Sequence, residues 1–182
     1  MSLLSARKLP VKVAALTSGA ALALVTAFAG TSSAATNTDV TPLADACSIA
    51  GTGDPHTCAQ AVTWAKNHIT TTYHAEYYNA CDHIVGLAYG FPHSGSLTAI
   101  AHWRAIPGSF KHAGDRSVPA GGLAFFSTSS SGHVMISIGS GTFVSNDIHG
   151  NGTYTKTTIS EIESKWGANY LGWAQPWFQY NH

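Results

Sequence analysis

The chain has 182 residues, nine basic against nine acidic side chains, 45% hydrophobic residues and only 10% charged ones. That composition excludes a disordered polyelectrolyte, which combines low hydrophobicity with high net charge. It argues against a nucleic-acid binder, whose footprint is a basic excess. Seven Phe, seven Tyr and five Trp are enough to fill one globular core.

The first segment has the pattern of a secretory signal peptide. Arg7, Lys8 and Lys12 form a basic start, residues 13–29 are an uncharged run, and Ser32, Ser33 and Ala34 are small residues at a cleavage-like position. The run is short for a membrane span. The expectation is therefore residues 1–34 as a cleaved signal, 35–56 as a linker leading into a disulfide loop, and 57–182 as one domain. Removal of 1–34 leaves 148 residues with six basic and nine acidic side chains, a formal charge of −3. The mature protein is expected to be secreted, or associated with the cell wall if the resemblance described below holds. It would meet a membrane only through its signal.

Three cysteines are present, Cys47, Cys58 and Cys81. An odd number in an exported chain suggests one disulfide and one free thiol. Cys47 and Cys58 flank a short Gly- and Pro-containing loop, so the spacing suggests a bridge between them, worth ~2–3 kcal/mol. Cys81 is left over.

In chain order, apolar residues at Cys58, Ala61, Val62, Ala65 and Ile69 have helical spacing. A second helix should start near Cys81, with Asn79 as N-cap and Asp82 in its first turn, and stop at Gly90. A third should cover 97–103 with Ser96 as cap. After Pro119 the period changes. Residues 123–126 read as a strand, 133–138 as the next, and Gly139-Ser140-Gly141 as a hairpin turn into 142–148. Ser160 and Glu163 suggest a capping box for a helix at 161–166, and 170–174 a last strand. Helices followed by an antiparallel meander indicate the α+β class.

A nucleophilic cysteine needs thiolate character, which a helix N-terminus and an imidazole can supply. Cys81 has the first by this reading. His133, opening a strand after a glycine, is the candidate base. A third polar group should orient the imidazole. Phe143, Ser145 and Asp147 share one face of the partner strand, and Asn146 lies on the other.

These residues carry a resemblance. The strings YYNACDHIVGLAYG, PAGGLAFF, SGHVMISIGSGTFVSNDI and YLGWAQPW resemble the NlpC/P60 cysteine peptidases, over about residues 60 to 177. The resemblance implies a papain-like core with helices packed on a small antiparallel sheet. It implies Cys81 as nucleophile, His133 as base, and Tyr77 or Tyr78 as a substrate-binding residue. The usual third position falls on Ser145, with Asn146 and Asp147 just beyond. Asp147 is favoured here because its carboxylate can accept from Nδ1–H. The chain departs from the family pattern at Asp82, where Ser follows the cysteine, and at Gly122, where Asp is usual.

The implied activity is an exported cysteine amidohydrolase that cleaves peptide bonds in peptidoglycan stem peptides. The partner is then the bacterial cell wall, not nucleic acid, and the protein is expected as a monomer. The alternative is an inactive binding module or effector on the same scaffold. Ten scattered histidines show no His-x₃-His or Cys-x₂-Cys spacing, so no metal or other cofactor is expected.

Overall fold

The computed structural model describes residue 49 and residues 51–182. The signal peptide and most of the linker expected from the sequence lie outside the described residues. Among those described, no helix is long and apolar enough to cross a membrane.

Helix α1 spans Cys58–Asn67. It begins where the sequence can close a capping box. The Thr57 hydroxyl accepts from the Gln60 N–H, and the Gln60 side chain accepts from the Thr57 N–H. Helix α2 spans Cys81–Ala88 and α3 spans Ala99–Ala105. Thr98, not Ser96, caps α3 by accepting from Ala101 N–H. Helix α4 spans Ile159–Trp166, capped by Thr158 rather than Ser160. Gly167 ends it in the left-handed conformation, φ 60°.

Six strands form one antiparallel sheet. They are β1 Lys111–Ala113, β2 Leu123–Ser127, β3 His133–Gly139, β4 Thr142–Asn146, β5 Tyr154–Thr157 and β6 Asn169–Ala174, in the spatial order β1-β6-β2-β3-β4-β5. The result is a mixed α+β fold with helices packed on a small antiparallel sheet.

Strand alternation splits the core into two layers. Leu123, Phe125, Val134 and Ile136 point to one face, where they meet apolar residues of α1, α2 and α3. Ala124, Phe126 and Met135 point to the other, where Ile159 and Ile162 of α4 cover them. Every residue of β3 is buried, as expected of a strand covered on both faces.

The turn into β3 needs glycine. Gly132 has φ 67°, and a Cβ there would lie 2.8 Å from the Phe126 carbonyl oxygen and 3.2 Å from Ile100. This close approach delivers His133 to the end of the sheet beside α3.

The disulfide expected between Cys47 and Cys58 is not carried forward, because Cys47 lies outside the described residues. Cys58 is buried in the first turn of α1, with its sulfur 2.9 Å from the Ala120 carbonyl oxygen.

Candidate active site

Cys81 is the first residue of α2, and its thiol is free. The cap is Ala80, whose side chain offers no hydrogen bond to the opening N–H groups of the helix. Asn79, expected as the cap, instead adopts a left-handed conformation, φ 54°. Its N–H donates to Asp147 Oδ2 at 2.8 Å.

A cleft of about 680 Å³ opens over this helix start. Cys81, His133, Asn146, Asp147 and Trp166 line it, together with a row of hydroxyls that includes Ser96, Thr98 and Ser129. Lys and Arg are missing from its lining. The cleft is therefore polar but carries no permanent positive charge. Leu97, 97% exposed, stands at its rim.

Burial pushes the Cys81 thiol up to about 12. The backbone N–H of Val134 pulls in the opposite direction, as does that of Asp82, while the carboxylates of Asp82 and Asp147, each taken by itself, add to the rise. The Val134 contact matters for position, because it ties the sulfur to the residue next to His133. His133 is 5% exposed, and burial lowers its imidazole to about 3. At neutral pH Cys81 is then a thiol and His133 a neutral imidazole.

His133 Nε2 lies 2.7 Å from Ser145 Oγ on β4. The Ser145 hydroxyl reaches the Asn146 carbonyl at 3.2 Å, and a carbonyl can only accept. With its one hydrogen directed there, Ser145 accepts from Nε2–H. In that tautomer the proton sits on Nε2 and the Nδ1 lone pair is able to take another. The Trp166 ring meets the imidazole edge-on at 4.9 Å and 87°. Phe126 packs nearby at 6.3 Å.

The structure thus sets Ser145, rather than Asp147, against the imidazole. Asp147 has φ 63° and sits just past the end of β4. Its Oδ2 accepts from Asn79 N–H and from Asn146 Nδ2 at 2.7 Å, and its Oδ1 from Gly152 N–H at 2.6 Å. Asn146 Nδ2 also donates to the Tyr77 carbonyl at 2.7 Å. Asp147 and Asn146 therefore fasten the 77–79 segment that precedes the cysteine. Tyr77 is buried against Tyr154 and His74, whereas Tyr78 is 44% exposed, and neither is among the cleft-lining residues.

Sequence reasoning missed one part of the site. Asp82, next to Cys81, is buried and turned away toward α3. Its Oδ1 lies 2.6 Å from His102 Nδ1, and its Oδ2 accepts from the Ser94 hydroxyl. His102, fully buried, also places Nε2 at 2.6 Å from the Trp177 carbonyl. A separation of twenty residues between Asp82 and His102 carries no local signal.

No family model matches the chain, and no curated protein matches it.

Proposed function

We propose that the protein is an exported cysteine amidohydrolase of NlpC/P60 type that cleaves peptide bonds in peptidoglycan stem peptides. The observation that carries this reading is the shared cleft. A free thiol at a helix start and a strand-opening histidine whose Nε2–H is taken up by Ser145 both line it. The papain-like arrangement of helix and sheet belongs to the same proposal.

In this reading the Cys81 sulfur attacks the amide carbon while its proton passes to His133 Nδ1. Because the resting pair is neutral, this transfer accompanies the attack rather than preceding it. The oxyanion meets backbone N–H groups at the opening of α2, a preorganised donor site. The imidazolium then gives its proton to the leaving amine, and the C–N bond breaks. Water, deprotonated by His133, releases the acid from the thioester and restores the thiol. Ser145 keeps the imidazole in the tautomer that can act as base.

The hydroxyl-rich wall suits a peptide backbone with small polar side chains. The test is digestion of purified peptidoglycan by residues 35–182 against a Cys81→Ala control, with products read by mass spectrometry. New peptide ends absent from the control are expected. Intact peptide from walls of several chemotypes, with a folded protein, would overturn the reading.

The alternative is a binding module that has lost turnover. The neutral resting pair favours it, since a thiol held near 12 is a weak nucleophile until a base assists. Retention on insoluble peptidoglycan without release of fragments would support it.

A further inference from the structure

We infer that His102 is a positioning residue for the Cys81 thiol: with Asp82 it forms a buried pair that shares one proton, carries no net charge, and so hides the adjacent carboxylate from the sulfur. This inference rests on the reading of Cys81 as nucleophile.

The argument begins with what each atom can do. The Trp177 carbonyl has no hydrogen, so the 2.6 Å contact requires His102 Nε2 to donate. The opposite nitrogen faces Asp82 Oδ1 at 2.6 Å. Were both bare, an imidazole lone pair would face a carboxylate inside the core. A proton must lie between them, on nitrogen or on oxygen. Either placement gives the pair a total charge of zero. Ser94 satisfies the second carboxylate oxygen.

The surroundings supply no other compensation. Phe125 of β2 meets the His102 ring edge-on at 5.3 Å, and Phe178 of the C-terminal segment packs at 5.3 Å. From α2 the titratable neighbours at the cleft are Cys81 and His83, from the following loop His93, from β3 His133, and from the end of β4 Asp147. No Lys or Arg lines the cleft to offset Asp82. A bare carboxylate one residue from the nucleophile would oppose its ionisation. The imidazole removes that opposition and ties α2 to α3 and to residue 177.

The rate of Cys81 alkylation by iodoacetamide, followed against pH by peptide mapping, tests this in the full exported chain. It reads the thiol and needs no wall substrate, so failure of the peptidoglycan digest and failure of this inference are separate outcomes. Circular dichroism checks folding of each variant.

Asp82→Asn should leave the profile within about two-fold, because neutral Asn with neutral His keeps the charge at zero. His102→Gln should slow alkylation at neutral pH about ten-fold and move the profile up by about one pH unit. The double variant Asp82→Asn, His102→Gln should return to within about two-fold of the parent.

Acceleration of about ten-fold in Asp82→Asn would show an uncompensated charge and overturn the inference. So would a folded His102→Gln with an unchanged profile, or a loss that the double variant does not rescue. If His102→Gln alone does not fold, the Asp82→Asn and double profiles decide in the same terms.

Discussion

The His133 imidazole is held by Ser145, with Nε2 and Oγ 2.7 Å apart on neighbouring strands. Both residues are buried, so the contact is shielded from competing water. It fixes how the ring is turned. Ser145→Ala should therefore slow both iodoacetamide alkylation and peptidoglycan cleavage about 10- to 100-fold. It should also cost about 1–3 kcal/mol of stability by leaving a buried N–H without a partner. Ser145→Thr, which keeps the hydroxyl, should recover part of the rate. Equal rates in Ser145→Ala and parent would remove Ser145 from the mechanism.

Acid should destabilise the fold through His133. Its imidazole is lowered from 6.5 to about 3 by burial, so the folded state resists a proton that the unfolded state accepts. The associated stability is complete above about pH 6.5 and is lost as pH falls toward 3. The limiting slope for one group is about 1.4 kcal/mol per pH unit. Urea midpoints measured from pH 7 to pH 4 should fall less steeply in His133→Gln than in the parent.

Asp54 should act in the opposite sense. Its two carboxylate oxygens are buried. Desolvation raises it from 3.8 to about 7, against a weaker pull from the Thr52 backbone. The stability it contributes is present below about pH 4 and is lost as pH rises to 7. Asp54→Asn should raise the melting temperature at pH 8 and change it little at pH 3.5. A larger gain at the acid end would contradict this assignment.

Asp147 is expected to matter for structure first. It gathers three hydrogen bonds from Asn79, Asn146 and Gly152. Asp147→Ala should cost about 2 kcal/mol, since it removes those acceptors and leaves a nonglycine residue at φ 63°. Differential scanning calorimetry gives the cost. Cys81 alkylation should decline too, because Asn79 lies two residues before it.

The sequence carried the positions of α1, α2 and the β3–β4 hairpin well, because capping residues and apolar periods are local. The start of α2 at Cys81 is legible in this way, but its cap is not: Asn79 takes a left-handed turn whose N–H is claimed by a residue 68 positions away. Strands β1 and β5 leave little trace. The first is three residues long, and Tyr154–Thr157 is mostly polar. The orienting residue shows where face counting stops working. Alternation would place Ser145 and Asp147 on one face, but β4 ends at Asn146 and the positive φ at 147 turns the carboxylate toward the 79 and 152 loops. Counting along the strand reached Ser145; preference for a carboxylate reached past it.

The strand order has a consequence for how the molecule is assembled. β6, Asn169–Ala174, lies between β1 and β2, and among the described residues β1 pairs with no other strand. A nascent chain lacking residue 169 onward therefore holds β1 as a three-residue segment without β6, and β2 as an open edge. The sheet closes by threading its last strand between two earlier ones, a contact of long sequence separation and correspondingly slow formation. Until that happens the 177–178 carbonyl and ring that hold His102 are absent as well. A polypeptide of this topology completes the surroundings of His102 only when its last strand and the segment after it are in place.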